Sequence, residues 1–129
     1  MESLKTVADA TTQVVGGEPR LSGKITSQSL TSNTLSLTVQ LTNAGTGDAE
    51  NIQITQIPLR TLAGTGAVTM TVPSLPVPVG SLAAGASAEV TLTLNVPSTV
   101  RKFSITEDGA VQDASGTRFN YSIGQVVFP

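Results

Sequence analysis

An unbroken alternation of aliphatic and polar side chains runs through Asn33-Thr34-Leu35-Ser36-Leu37-Thr38-Val39-Gln40-Leu41-Thr42-Asn43. Successive side chains of a β-strand point to opposite faces, so the four aliphatic residues of this run share one face. A second run, residues 87–96, repeats the pattern with Val90, Leu92, Leu94 and Val96. The two runs predict a pair of inner strands that each turn one face toward a core.

Shorter segments with the same period extend this pattern along the chain. They comprise residues 21–27, 51–57, 67–72, 102–105 and 119–123. Turns rich in Gly, Asn or Asp separate them at Asn43–Asp48, Gly64–Gly66 and Asp113–Gly116, and the last of these suits a hairpin between the final two strands. The prolines of Pro73–Gly80 block regular central pairing, which predicts an extended edge or a crossover there. Seven or eight short antiparallel strands at this spacing predict an all-β, immunoglobulin-like two-sheet sandwich.

The size and composition of the chain restrict its chemistry. It has 129 residues and a mass of 13.2 kDa, which is the size of one ordinary domain. It contains neither Cys nor His, which excludes cysteine nucleophiles, Cys/His zinc sites and every triad that needs an imidazole base. We therefore expect no catalytic residue, no metal site and no cofactor, and we expect that the protein is not an enzyme.

The charge pattern restricts the partners. The formal net charge is −2, only 12% of the residues are charged, and the only adjacent basic pair is Arg101-Lys102. Nucleic-acid binding requires clustered cations, so nucleic acid is not an expected partner. No apolar run approaches the roughly 18–20 residues that would cross a bilayer, so no membrane-spanning segment is expected.

Three acids close together in the sequence are the nearest approach to a metal-binding motif. Glu107, Asp108 and Asp113 would together form an acidic loop that could bind calcium. Calcium takes about six to eight oxygen ligands, and the spacing of these acids matches no calcium loop. We therefore expect solvated acids in turns.

The polar composition indicates where the protein resides. Ser and Thr make up about a quarter of the chain, so hydroxyl groups replace charges as its main polar groups. This composition is common among exported bacterial proteins, which predicts an extracellular or cell-surface location. The chain has no apolar stretch typical of a secretory signal. We expect such a signal to have been removed or to lie outside this chain.

Two segments carry a family resemblance that covers about residues 21–128. They are Leu41-Thr42-Asn43-Ala44-Gly45-Thr46-Gly47-Asp48-Ala49-Glu50-Asn51-Ile52 and Gly80-Ser81-Leu82-Ala83-Ala84-Gly85-Ala86-Ser87-Ala88-Glu89-Val90-Thr91-Leu92. Both are similar to the turn motifs of bacterial immunoglobulin-like repeat modules, the CARDB-like and related domains. That resemblance implies a spacer, adhesion or accessory role in a secreted or surface protein, and it carries over no catalytic residue.

The first nineteen residues differ from the rest of the chain. Residues 1–19 end in Gly16-Gly17-Glu18-Pro19, which separates them from the sandwich at residues 20–129. They form either a flexible leader or an arm that adds a strand to a neighbouring copy. A strand that continues to the last residue offers an edge that could accept such an arm. The residues predicted to mediate this assembly are Leu4, Val7, Val14 and Val15 in the arm and Val126, Val127 and Phe128 at the edge.

Two classes of function follow from these features. The first is a non-catalytic structural or interaction module at the cell surface, whose partners are other protein domains or copies of itself, in the extreme case as subunits of a fibre. The second is an accessory domain that binds a glycan or protein ligand through its loops. The candidate loops are Gly45–Glu50, Gly64–Gly66 and Pro73–Gly80.

Overall fold

A computed structural model describes residues 17–129 as nine β-strands, with no helix among these residues. The strands are β1 (Leu21–Thr31), β2 (Thr34–Asn43), β3 (Ala49–Gln56), β4 (Leu59–Gly64), β5 (Thr69–Val72), β6 (Val77–Leu82), β7 (Ser87–Asn95), β8 (Val100–Gln112) and β9 (Arg118–Val127). All pairings between them are antiparallel. The predicted all-β, two-sheet sandwich is confirmed, with nine strands where the sequence predicts seven or eight.

The strands form two sheets. The four-stranded sheet has the order β1-β2-β7-β5. The five-stranded sheet is built around β8, which pairs with β9 on one side and with β3 and β4, one after the other, on its other side. Strand β6 extends this sheet beyond β3.

The predicted inner strands β2 and β7 are adjacent in the middle of the four-stranded sheet. Their pairing places aliphatic residues directly opposite each other, with Leu35 against Leu94 and Leu37 against Leu92. All four of these side chains are fully buried. Phe103 and Ile105 of β8 pack into the same core from the opposite sheet. The period of two in the sequence therefore identifies both the strands and their buried faces.

Asn43 explains the turn motif that follows β2. Its side-chain amide is fully buried and donates to the carbonyls of Gly47 at 2.9 Å and Leu82 at 3.0 Å. Its Oδ1 atom accepts from the backbone N–H groups of Arg20 and Gly45, each at 3.1 Å. One side chain thus joins the entry to β1, the turn and the end of β6. A buried amide with this many partners is a structural anchor.

The turn at residues 43–48 also holds the segment that precedes β1. The Glu18 carbonyl accepts hydrogen bonds from Thr46 at 3.2 Å and Gly47 at 3.3 Å, and the Arg20 carbonyl accepts one from Ala44 at 2.7 Å. A Cβ atom on Gly45 would collide with the Glu18 carbonyl. Residues 18–20 are therefore part of the sandwich, and the rest of the predicted arm, residues 1–16, lies outside the described residues.

The structure contains one strand that the sequence pattern does not predict, and another that is longer than predicted. Strand β4 follows β3 after Pro58, and β8 continues past Ile105 to Gln112. The prediction of solvated turn acids is wrong for Glu107, which lies within β8 and is 0% exposed. It lies two residues after Ile105 and four after Phe103, so its side chain shares their inward face.

The proline-rich segment behaves as predicted. It leads from β5, at one edge of the four-stranded sheet, to β6, at one edge of the five-stranded sheet. Both Val72-Pro73 and Leu75-Pro76 are cis peptide bonds. The alternation in residues 67–72 predicts one buried face for Val68, Met70 and Val72, but Val72 is 55% exposed.

Candidate interaction site

The edges of the two sheets differ in how well they are protected against pairing with another chain. Strand β5 has only four residues, and β6 contains Pro78. Strand β1 carries the exposed Lys24 and a register shift after Ile25. Charges, prolines, bulges and short length all oppose edge-to-edge pairing.

Strand β9 has little of this protection. It has ten residues, contains no proline, and its one charged residue is Arg118 at its start. Within residues 17–129 its backbone pairs with β8 alone. Strand β1 packs near it at Gly23, and the Gln28 amide of β1 donates to the Phe128 carbonyl just after β9 at 3.0 Å. A long edge strand of this kind is a template for an additional strand.

The C-terminal end of β9 also presents apolar side chains to solvent. Val126 is 53% exposed and Phe128 is 67% exposed. Two cations lie near them. The Lys102 ammonium is 5.8 Å from the centre of the Phe128 ring. Arg60 lies in the same cross-strand row as Val126, with Ser104 between them. We call Val126, Phe128, Lys102 and Arg60 the β9 patch.

The sequence-predicted assembly residues are not all brought together. Val126 and Phe128 lie in the β9 patch, whereas the intervening Val127 is 1% exposed and packs in the core. Val127 therefore cannot offer its side chain to a neighbouring strand. The four arm residues, Leu4, Val7, Val14 and Val15, lie outside the described residues.

The opposite end of β9 is tied to β3 by Tyr121. Its hydroxyl donates to the Gln53 carbonyl at 2.9 Å, across Gly109 of β8. Burial, followed by the nearby Glu107 and Asp108 carboxylates, raises the pKa of Tyr121 to about 12. The phenol therefore remains a neutral hydrogen-bond donor.

A pair of buried polar side chains lies on the inner face of the β8–β9 hairpin. Glu107 is opposite Ile123, and Gln125 is opposite Ile105, so the two polar side chains are diagonal neighbours. None of their four terminal atoms has a hydrogen bond of good geometry. Burial raises the pKa of Glu107 to about 7, the nearby Gln125 amide opposes this rise, and the Asp108 charge adds to it.

Asp113, the third acid of the predicted cluster, has a different role. Its Oδ1 atom accepts hydrogen bonds from the Ser115 hydroxyl at 2.7 Å and from the backbone of Ser115 and Thr117, each at 2.9 Å. The Ser115 hydroxyl is the main cause that holds the pKa of Asp113 below its usual range. Asp113 therefore shapes the β8–β9 turn, and the three acids do not converge on one site.

The loops proposed for ligand binding make contacts within the domain. Gly45 and Gly47 are packed against residues 17–20. The Gly64–Gly66 turn is bound to Thr99, whose hydroxyl donates to the Thr65 carbonyl at 2.6 Å. Structural requirements therefore account for the glycines of both turns.

A shallow polar groove lies on the outer face of the five-stranded sheet, which the sequence analysis did not identify. Gln56, Asp108 and Ser122 form a cross-strand row along it. Thr55 and Asn120 complete its polar lining. Its residues are scattered in the sequence, and only the strand register brings them together.

The described residues contain no group of three or more acidic side chains placed to hold a metal ion. Among residues 17–129 there is also no helix of the length and hydropathy needed to cross a membrane.

Comparisons with known proteins give little further information. No family model matches the chain, and no curated protein matches it. One similar solved structure is described as the X-ray structure of Northeast Structural Genomics Consortium target SoR45. It is 10% identical to this chain, with a TM-score of 0.48 over 88% of this chain and 87% of that one. A likeness at this level indicates neither a ligand nor an activity.

Proposed function

We propose that this protein is a non-catalytic interaction module of an extracellular or cell-surface protein, and that it assembles with copies of itself by strand addition. Residues 1–16 of one copy form the added strand, and the free edge of β9 in the next copy accepts it. The observation that carries this proposal is the ten-residue, proline-free edge of β9 with Val126 and Phe128 exposed beside it. The resemblance to bacterial immunoglobulin-like surface modules supports the cellular location.

The donor segment has suitable length and composition. Sixteen residues in extended conformation span roughly 50 Å, more than the roughly 33 Å of a ten-residue strand. Leu4, Val7, Val14 and Val15 provide apolar side chains, and the charged residues Glu2, Lys5 and Asp9 leave the segment nearly neutral. Main-chain hydrogen bonds would supply affinity, and side-chain contacts would supply specificity.

The test compares the full chain with a chain that begins at Gly17. Residues 18–20 are hydrogen-bonded to the turn after β2, so this truncation leaves every described contact in place. Light scattering over a range of concentrations should give oligomers or filaments for the full chain and a monomer for the shortened one. The same number of subunits per particle for both chains at every concentration would contradict strand addition.

A second candidate function is recognition of a glycan, and the polar groove is the observation that favours it. Asp108, Asn120 and Ser122 offer carboxylate, amide and hydroxyl groups on one exposed face. A glycan array with the monomeric protein tests this function, with Asp108→Ala as the groove variant and Glu89→Ala, at an exposed position on β7 of the other sheet, as the control. Binding that Asp108→Ala abolishes and Glu89→Ala preserves would favour this candidate.

A further inference from the structure

We infer that Glu107 and Gln125 form a proton-controlled contact, here called the latch, that keeps β1 packed against β9 while the Glu107 carboxyl group is protonated. When the proton is lost, β1 moves away from β9. The inference does not depend on strand addition. It rests on the burial of Glu107 and of the polar atoms of Gln125, on the lack of hydrogen-bond partners for these atoms and on the way β1 packs over them.

The pair is enclosed within the sandwich. Glu107 is 0% exposed, and the polar atoms of Gln125 are buried. Two carboxyl oxygens, one amide nitrogen and one amide oxygen lack partners in one small region. Buried polar groups in native proteins are nearly always paired, so this cluster requires an explanation.

Strand β1 closes over the pair at a glycine. A Cβ atom on Gly23 would lie 3.0 Å from Cγ2 of Ile123 and 3.4 Å from Nε2 of Gln125. The β1 backbone therefore approaches β9 closely because residue 23 has no side chain. The two strands do not pair through their backbones. The Gln28 amide of β1 donates to the carbonyl of Phe128, the residue after β9, at 3.0 Å. Side-chain packing, rather than backbone hydrogen bonding, therefore holds most of β1 against β9.

Protonation determines whether the two side chains can pair. A neutral carboxyl group has one O–H donor and one carbonyl acceptor, which match the acceptor and donors of a carboxamide. Small side-chain rotations would then join Glu107 and Gln125 by two reciprocal hydrogen bonds. An ionised carboxylate only accepts, so the Gln125 oxygen would lose its donor and a charge would be buried without a cation.

Among the elements formed by residues 17–129, none that neighbours the pair supplies a compensating positive charge. On β8 the nearest titratable group is Asp108, which carries the same sign. On β9 the neighbouring group is Tyr121, whose hydroxyl is already donated to Gln53. Lys24 of β1 is exposed, β2 contains no charged residue, and Glu50 of β3 is exposed. Admitting water by moving β1 away from β9 is the available way to solvate the ionised carboxylate.

The test is an NMR titration of the full chain between pH 5 and pH 9. The Glu107 Cδ resonance should titrate with a midpoint of about 7. The nuclear Overhauser contact between the Gly23 α-protons and the Ile123 γ2 methyl group should weaken with the same midpoint. Resonances of β5 and β7, which are distant from the latch in the sheet order, should not follow this titration.

Two variants make the result specific. Glu107→Gln keeps the shape and both hydrogen bonds of the pair but cannot lose a proton, so its Gly23–Ile123 contact should persist across the whole range. Asp108→Asn removes the neighbouring carboxylate and should retain the pH response. The inference is overturned if Glu107 titrates in the ordinary range of a glutamate, or if the Gly23–Ile123 contact persists in wild type while Glu107 ionises. It is also overturned if Glu107→Gln loses the Gly23–Ile123 contact at the same pH as wild type.

Discussion

The hydroxyl of Tyr121 donates a hydrogen bond of 2.9 Å to the carbonyl of Gln53, crossing β8 above Gly109. A tyrosine can lie in this position because Gly109 has no side chain: a Cβ atom there would come within 2.5 Å of the hydroxyl oxygen and would also collide with the Gln53 carbonyl. A single glycine thus lets β9 bond to β3 across the intervening strand. This contact fixes the start of β9, whose other end carries the β9 patch.

Gly109→Ala should destabilise the domain by more than about 2 kcal/mol, because the added methyl group overpacks a site bounded by backbone. Gly124→Ala on β9 is the matched control, since its nearest heavy atom would be 3.8 Å away, and we expect a change within about 0.5 kcal/mol. Urea unfolding measures both. Equal effects of the two substitutions would contradict the assigned role of Gly109.

Asn43→Ala should lower the free energy of unfolding by about 3 kcal/mol. The buried Leu82 carbonyl loses its partner at a cost of about 1–3 kcal/mol, and three part-buried backbone groups that water can reach add a smaller loss. Asn120→Ala, at an exposed position, is the control and should have little effect. Denaturant titration with circular dichroism provides the measurement. A loss below 1 kcal/mol for Asn43→Ala would mean that the network around it is not the anchor described above.

Stability should depend on pH through Glu107. Its pKa is raised from 4.5 to about 7, so the folded state binds this proton more tightly than the unfolded state does. The stabilising contribution is therefore fully present below about pH 4.5, is lost as the pH rises to about 7, and stays lost above that. At 1.36 kcal/mol per pKa unit the loss amounts to about 3 kcal/mol at most.

Urea unfolding at a series of pH values tests this dependence. Wild type should lose stability between pH 5 and pH 7.5, whereas Glu107→Gln should be nearly flat and more stable than wild type at pH 8. Asp108→Asn should keep most of the wild-type dependence. Parallel curves for wild type and Glu107→Gln would show that another group controls the response.

The sequence predicts the strands whose alternation is strict and misses those in which it is broken. The inner strands β2 and β7 are recognisable because every second residue is aliphatic. Strand β4 escapes prediction because Pro58 precedes it and Arg60 and Leu62 are both exposed, so it has no continuous apolar face. The two-sheet sandwich is predictable because a few clear strands suffice to define it.

The buried acid escapes prediction for a different reason. Glu107-Asp108-Gly109 has the composition of a turn, which predicts that the strand containing Phe103 and Ile105 ends before it. The sequence does carry one signal for it. Phe103, Ile105, Glu107 and Val111 are separated by even numbers of residues, so a strand that continued to Val111 would place Glu107 on the same inward face as the other three. The edge of β9 is only partly predictable, because alternation cannot tell which strand of a sheet remains unpaired.

Sedimentation velocity of two matched full-length variants tests the central claim, assembly at the β9 edge, most directly. Val126→Lys places a charge on β9, and Val72→Lys places the same charge on β5, at residues that are 53% and 55% exposed. Charges on an edge strand oppose the addition of another strand, so Val126→Lys should weaken association at least about tenfold while Val72→Lys associates as wild type does. Wild-type association in both variants, or a wild-type chain that remains monomeric at every concentration, would contradict the claim.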